Sequence, residues 1–155
     1  MNLKARILTA AAALSLVAPA AMAQDDFEAQ LKARQGQFRI MALNLGVLGG
    51  MAQGKIDYDA ERAQTAADTL VAVTEIDQSL HWPEGSDSFA MDGTRAEPSI
   101  WDDNADFLAK WEDLGAAARE MQAVAGDGRQ AVGAALQNVG GTCKACHDAH
   151  RTPDS

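Results

Sequence analysis

Residues 132–147 read VGAALQNVGGTCKACH, and this stretch combines a helical apolar stripe with a short cysteine motif. The side chains of Val132, Leu136, Val139, Cys143 and Cys146 recur every three or four residues. That spacing is the period of one face of an α-helix. The pattern therefore predicts a helix that turns the cysteine motif toward the core.

The motif itself is Cys143-Lys144-Ala145-Cys146-His147, which has the Cys-x-x-Cys-His spacing of a c-type haem attachment site. Two thiols one helical turn apart can each add to a haem vinyl group, and the adjacent imidazole can bind the iron. The sequence thus predicts one covalent haem c, held by Cys143 and Cys146, with His147 as the proximal axial ligand of the iron.

A Cys-x-x-Cys pair has three other possible uses: a redox dithiol, a disulfide and half of a zinc site. A thioredoxin-like dithiol should follow a strand in a βαβ pattern, and no such pattern precedes Cys143. A zinc site that used both cysteines with His147 and His150 would take four tetrahedral ligands from two turns of one helix, which needs outside help. Because the haem motif uses both cysteines of the chain, we expect no structural disulfide.

The N-terminal residues 1–23 have the pattern of a cleaved secretory signal peptide. Lys4 and Arg6 precede an apolar stretch at residues 7–20, and Ala21-Met22-Ala23 supplies the small residues of a cleavage site. The apolar stretch is too short and too rich in alanine to anchor the protein in a membrane. We therefore expect cleavage after Ala23, a periplasmic location, and one domain over residues 24–155. Export agrees with the motif, since haem c is attached outside the cytoplasm.

The charge of the chain restricts its partners. Its formal net charge is −9, and cleavage after Ala23 would remove two of the 13 basic residues and none of the 22 acidic ones. A strongly acidic surface repels nucleic acid and anionic membranes. We therefore expect neither as a partner and favour basic proteins or small neutral ligands.

Four segments of the chain after residue 24 have helical periodicity, and none has the alternation of a β-strand. The first can be capped by Asp25 or Asp26, the second starts near Asp57 or Asp59, and a loop follows over residues 81–99. The third runs over residues 100–125, and the fourth carries the motif. The apolar positions of the first segment are Phe27, Leu31, Phe38, Met41, Leu45 and Leu48. Those of the second are Ala63, Ala66, Leu70, Val73 and Ile76, and those of the third are Trp101, Ala105, Leu108, Trp111, Leu114, Ala118 and Met121. The prediction is an all-α, antiparallel four-helix bundle with the covalent haem in its core.

The chain after residue 24 resembles the cytochromes c′ and their six-coordinate cytochrome c-556 relatives. Each matching motif is weak alone, and their order and spacing make the resemblance specific. The matches are Ala33-Arg34-Gln35 with Phe38, Gly46, Gly54-Lys55, Trp82-Pro83, Gly85-Ser86-Asp87, Pro98-Ser99-Ile100-Trp101, Gly140-Gly141-Thr142, and the cysteine motif with Asp148 and Arg151.

The resemblance implies several further haem contacts. Arg34 and Gln35 are expected at a haem propionate, which would also give the Arg34 charge a partner on the edge of a core-facing stripe. The alternative is a surface arginine paired with Glu28 or with nearby aspartates. Glu97 lies where the family loop passes the haem edge. A carboxylate that is simply exposed to solvent is an equally good interpretation of this residue. Arg151 resembles the family arginine near the proximal imidazole, and it could equally serve as a cation at the helix C-terminus.

The resemblance also directs attention to His150. The family usually has an aromatic residue at this position, so a histidine is a departure. We interpret His150 as covering the haem edge and not as a second ligand, because the helix of His147 cannot reach the opposite haem face.

The position that faces the sixth iron coordination site decides the function. The six-coordinate relatives place a methionine there, whereas the same spacing in this chain gives Phe38, which has no lone pair to offer. We therefore expect a five-coordinate iron in an apolar distal pocket that binds NO or CO and can take part in electron transfer. The alternative is a c-556-type electron carrier in which Met41, one turn along the same face, binds the iron and a redox partner docks at the haem edge.

Two further expectations concern activity and assembly. No general base or nucleophile constellation is visible, so we do not expect an enzyme.

The resemblance implies a homodimer through the first two helices, where Gly36, Ala42, Ala63 and Ala67 would permit close approach, although such residues are also common in bundle cores.

Overall fold

The computed structural model describes residues 27–153. This part of the chain contains α1 (Glu28–Ala52), α2 (Ala60–Thr74), the single-turn α3 (Ser99–Asp102), α4 (Asn104–Val124) and α5 (Arg129–His150). The predicted signal peptide at residues 1–23 and the predicted caps Asp25 and Asp26 lie outside the described residues. Over residues 27–153, no helix combines the length and apolar character needed to cross a membrane.

The four long helices form an antiparallel bundle, as the sequence predicted. Helix α1 packs against α2 and α5, and α4 packs against the same two helices. Short links at residues 53–59 and 125–128 join α1 to α2 and α4 to α5, whereas residues 75–98 form the long loop between α2 and α3. Helices α1 and α4 therefore face each other diagonally, as do α2 and α5.

Aspartates determine where two of the helices begin. The Asp59 carboxylate accepts a hydrogen bond from the Arg62 backbone N–H at 2.8 Å, which confirms Asp59 as one of the two predicted starts of α2. Asp103 has non-helical backbone angles (φ −131°, ψ 62°) and caps α4 by accepting from the Asp106 N–H. The single helix predicted over residues 100–125 was therefore wrong, because Asp103 divides it into α3 and α4.

Four predicted core positions are exposed, and the first of them along the chain is Phe38 on α1, with 40% of its surface exposed. Ala105 and Leu108 face solvent, with Leu108 42% exposed, because Phe107, Trp111 and Leu114 form the inward face of α4. Ile76 is also exposed, since α2 ends before it at Thr74.

The two ends of the bundle differ in packing. At one end, the side chains of Leu48, Met51, Met121 and Val132 are fully buried in a continuous core. Tyr58 closes this end, because its hydroxyl donates to the Ala125 carbonyl at 2.7 Å and accepts from the Gly128 N–H at 3.0 Å. At the other end, where α5 carries the motif, the same four helices surround a cavity.

The long loop is fastened to the chain just beyond α5. Within the loop, the Ser88 N–H donates to the Ala96 carbonyl at 2.8 Å. Ala96 forms an antiparallel β-bridge with Arg151, and the Thr152 N–H donates to the Arg95 carbonyl at 2.9 Å. The residues after α5 therefore fix the loop segment that borders the cavity.

Candidate haem site

The cavity has a volume of about 510 Å³ and a largely apolar surface. Ligand pockets typically measure about 300–1,000 Å³ and are lined mainly by apolar groups. Its lining includes Cys143, Cys146 and His147 from α5, and Arg34, Gln35, Phe38 and Met41 from α1. The structure thus brings together every predicted site residue except Glu97.

The three motif residues occupy one face of the last two turns of α5. Both cysteines are free and half-buried, and burial raises the pKa of each thiol above its usual value. The thiols are therefore protonated at neutral pH and point their S–H groups at an apolar cavity. Addition of each thiol across a haem vinyl group would place its sulfur on one carbon and its hydrogen on the other, so these two residues would hold the cofactor through thioethers.

His147 has an environment that favours a neutral ring. Burial, followed by the positive charges of Arg151 and Arg95, lowers the pKa of His147. The Arg151 Nη1 lies 3.3 Å from both ring nitrogens of His147. A neutral imidazole is the form that binds a metal. Arg151 lies beside the His147 ring, as the resemblance implied, and its positive charge favours the neutral form of that ring.

Arg34 is buried, with 2% of its surface exposed. Its guanidinium donates to the Ser86 carbonyl at 3.3 Å and to the Ser86 hydroxyl at 3.2 Å, and it lies 4.6 Å from the centre of the Trp82 ring. Among residues 27–153, its Nε has no hydrogen-bond partner. A buried guanidinium with an unused N–H fits an anionic group in the cavity, such as a haem propionate. The alternative of a surface arginine paired with Glu28 or a nearby aspartate was wrong, because Arg34 is buried and Glu28 pairs with Lys32.

Gln35 and Glu97 have different placements. Gln35 lines the cavity, but its amide Nε2 donates to the Gly93 carbonyl at 3.0 Å, so the side chain also holds the long loop. Glu97 does not line this cavity and lies instead in a second, polar recess, which His147, Asp148 and Arg151 also line. The expected contact between Glu97 and the haem edge therefore has no counterpart in the cavity.

Part of the cavity surface is formed by Phe38 of α1, Leu70 and Thr74 of α2, and Trp111 and Leu114 of α4, and we call these five residues the distal wall. Arg34, Gln35 and Lys110 of the same helices line other parts of the cavity. The Phe38 ring is 40% exposed and meets Trp111 edge-on, with centroids 6.1 Å apart. The two polar groups on this wall are already engaged. The Trp111 Nε1–H donates to the Thr74 carbonyl at 3.0 Å, and the Thr74 hydroxyl donates to the Val71 carbonyl at 2.8 Å.

His150 lines the cavity as expected, but hydrogen bonds hold its ring. Nε2 lies 3.0 Å from the Asp106 carboxylate and Nδ1 lies 2.9 Å from the Ser99 hydroxyl. Both ring nitrogens are therefore committed to protein groups. This removes His150 from the zinc ligand set considered above.

Sequence reasoning missed the polar network that supports Arg34. Gln37 and Gln78 are buried and joined by a hydrogen bond of 3.0 Å, and the Trp82 Nε1–H donates to the Gln78 Oε1 at 3.0 Å. These contacts fix the ring on which Arg34 lies. Buried glutamines interrupt the apolar pattern without any distinguishing spacing, so the one signal in the sequence was the Trp82-Pro83 match to the family.

Comparison with known proteins places this site in a family. A sequence profile described as cytochrome C′ matches residues 29–151. The cytochrome c′ of Cereibacter sphaeroides is 39% identical over 140 residues, which cover 90% of this chain and 94% of that protein.

Solved structures agree with the sequence comparison. Cytochrome c′ from Rhodobacter spheriodes is 38% identical with a TM-score of 0.80, and the match covers 83% of this chain and 99% of that one. A nitric oxide complex of a cytochrome c′ mutant from Alcaligenes xylosoxidans is 29% identical with a TM-score of 0.70, covering 82% of this chain and 96% of that one. The chain therefore belongs to the cytochrome c′ family, whose cofactor is one covalently attached haem c.

Proposed function

We propose that this protein is a periplasmic, five-coordinate haem protein that binds NO or CO and can take part in electron transfer. Cys143 and Cys146 hold the haem through thioethers, and His147 is the protein's axial ligand to the iron. Bound haem supplies an iron that takes a diatomic gas as ligand and exchanges single electrons. The observation that carries the proposal is Phe38, which lies in the cavity where the six-coordinate relatives are expected to have methionine.

The distal wall favours some gases over others. Phe38, Leu70 and Leu114 offer no hydrogen-bond donor, and the donors of Thr74 and Trp111 already serve backbone carbonyls. Bound dioxygen gains from a donor because its charge distribution is polar, whereas NO and CO need no such contact. These five side chains therefore offer dioxygen no hydrogen bond that would favour it over NO or CO.

Two further observations support a binding role over an enzymatic one. The solved Alcaligenes xylosoxidans mutant is itself a nitric oxide complex. None of the five distal-wall side chains is a carboxylic acid, a histidine or a lysine, and Lys110, which lines another part of the cavity, is paired with Asp106 at 2.6 Å. Peroxide chemistry needs both a general acid and a general base. We propose that the protein captures gas or carries electrons and does not turn over a substrate. The signal-peptide pattern of residues 1–23 supports a periplasmic location.

The test is the optical spectrum of the cleaved holoprotein, oxidised and reduced, before and after addition of CO. We expect a high-spin spectrum that changes with CO, because His147 is the only axial ligand supplied by the protein. The Met41→Leu variant should have the same spectrum, since Met41 packs in the core at 6% exposure. A low-spin spectrum that ignores CO in the wild type, and becomes high-spin in Met41→Leu, would assign the sixth position to Met41 and overturn the proposal.

We also propose that the protein forms a homodimer through the outer face of α1. Gly36, Ile40, Leu43 and Val47 follow one another at helical spacing, and Leu43 is 70% exposed. The predicted contributions of Ala63 and Ala67 were wrong, because both residues are fully buried inside the bundle. Ala42 remains exposed on α1.

The Leu43→Glu variant should be a monomer, since a charge at the centre of an apolar contact is costly to bury. Light scattering after size exclusion measures the mass directly. Leu80→Glu is the matched control, because Leu80 is equally exposed but lies on the long loop, and it should remain dimeric. A wild-type monomer, or a dimer that survives Leu43→Glu, would contradict this interface.

A further inference from the structure

The last turn of α5 carries a histidine whose role the fold alone does not explain. His150 is 4% exposed and packs edge-on against Phe107, with ring centroids 5.7 Å apart. It lies one helical turn beyond His147 and ends α5. A phenylalanine would fill this space equally well, so the reason for a histidine lies in its two ring nitrogens.

The ring nitrogens of His150 connect α5 to two other helices. Nε2 is 3.0 Å from the Oδ2 of Asp106 on α4, and this nitrogen must carry the hydrogen, because a carboxylate only accepts. Nδ1 is 2.9 Å from the hydroxyl of Ser99, the first residue of α3. With the hydrogen on Nε2, Nδ1 is an acceptor, and the single hydrogen of the Ser99 hydroxyl can go either to Nδ1 or to the Ala149 carbonyl, which lies 2.7 Å away. A single side chain thus ties the end of α5 to both α3 and α4.

The acceptor of this connection is held in its charged form. Lys110 donates to the other Asp106 oxygen at 2.6 Å. This hydrogen bond is the largest cause of the lowered pKa of Asp106. The Asp106 carboxylate therefore remains an acceptor for His150 at neutral pH.

The backbone at the same point is fixed from the opposite side. The His150 carbonyl accepts from the Glu97 N–H at 3.0 Å, and the adjacent Arg151 forms the β-bridge with Ala96. The last turn of α5 consequently has attachments to α3, α4 and the long loop. Rotation or axial shift of this turn would break several of these contacts at once.

We propose that His150 is a positioning residue that fixes the rotation and height of the last turn of α5, and thereby the direction in which the His147 imidazole meets the haem iron. The inference rests on the proposed five-coordinate haem. In that state the protein holds the iron through His147 alone. A displacement of the last turn of α5 would therefore move the imidazole without opposition from a second protein ligand. The same restraint would limit how far His147 can move when a gas binds.

The test uses resonance Raman spectroscopy of the reduced holoprotein, which reports the iron–histidine stretching band. His150→Phe keeps the aromatic contact and removes both hydrogen bonds, whereas Asp106→Asn and Ser99→Ala each weaken one. We expect the band to shift or broaden in all three variants, most in His150→Phe. Glu112→Gln, which alters an exposed acid on the same helix as Asp106, should leave the band unchanged.

Several outcomes decide the question. A band in His150→Phe that matches wild type and Glu112→Gln would show that the ring only fills space and would overturn the inference. Circular dichroism establishes that each variant keeps its helices, and Ser99→Ala is the mildest change if His150→Phe does not fold. His150→Gln retains a donor and an acceptor, so it should return the band part of the way toward wild type.

A failure of the proposed function can be distinguished from a failure of this inference. A six-coordinate iron would show no such band in the wild type, together with a spectrum indifferent to CO. The reduced protein is then low-spin and diamagnetic, so NMR can follow the His150 Nε2–H and the His147 ring signals. A slowly exchanging Nε2–H, with His147 signals that move in His150→Phe and not in Glu112→Gln, supports the positioning role, and rapid exchange with unmoved signals refutes it.

Discussion

Replacing both Cys143 and Cys146 by serine is expected to abolish covalent haem and to leave a bundle without a packed core at one end. Hydroxyls do not form the thioethers that hold the cofactor. The cavity that would remain measures about 510 Å³. Loss of the group that fills this space should cost at least as much as one large-to-small core substitution, about 2–5 kcal/mol, which is a large part of the stability of a typical domain, about 5–15 kcal/mol.

Mass spectrometry of the denatured protein and thermal unfolding measure the two effects. The wild type should retain the mass of one haem after denaturation, and the double variant should retain none. Ala145→Ser is the matched control, because it places a hydroxyl on an exposed position between the two cysteines and should behave as wild type. A double variant that unfolds cooperatively near the wild-type temperature without haem would contradict the structural role of the cofactor.

Shortening Phe38 to alanine is expected to accelerate gas binding by about tenfold, which corresponds to a barrier lowered by about 1.4 kcal/mol. The ring borders the cavity and is held edge-on by Trp111, so it occupies space that an incoming ligand must cross. The rate of CO association, measured by stopped-flow mixing with the reduced holoprotein, gives the effect directly. The absorption spectrum before mixing should change little, because Phe38 is not a ligand.

Leu108→Ala provides the control for this experiment. Leu108 lies on α4, is similarly exposed at 42% and does not line the cavity. Its CO association rate should equal that of the wild type. Equal rates in Phe38→Ala and Leu108→Ala would mean that Phe38 does not stand between solvent and iron, and the distal assignment would then be wrong.

The sequence contained most of what determines the bundle and the proximal part of the site. Helical period and motif spacing are local properties, so the spacing of Cys143, Cys146 and His147 was enough to assign them to one face of one helix. The same holds for Phe38 and Met41, which share a face of α1. These residues meet in the cavity because amphipathic helices bury their apolar faces against one another.

Tertiary contacts explain what sequence patterns could not supply. The break at Asp103 arises because an aspartate can cap the helix that follows it, a choice that competes with continuing the preceding turn. The partners of Arg34 and His150 come from residues far away in the chain, namely Ser86, Trp82 and Asp106. No periodicity predicts such pairings. In the same way, the place of Glu97 in the loop gave no information about whether its side chain would line the cavity or the neighbouring polar recess.

The attachment of the long loop to the chain beyond α5 has a consequence for the order of assembly. The loop segment at residues 93–96 borders the cavity, yet its bridging partners at residues 151–152 follow the cysteine motif in the chain. Because synthesis proceeds from the N-terminus, both cysteines are already present when the loop can acquire its final hydrogen bonds. A chain that ended before Arg151 would therefore keep both cysteines and His147 and lose the hydrogen bonds that fix residues 93–96 beside the cavity.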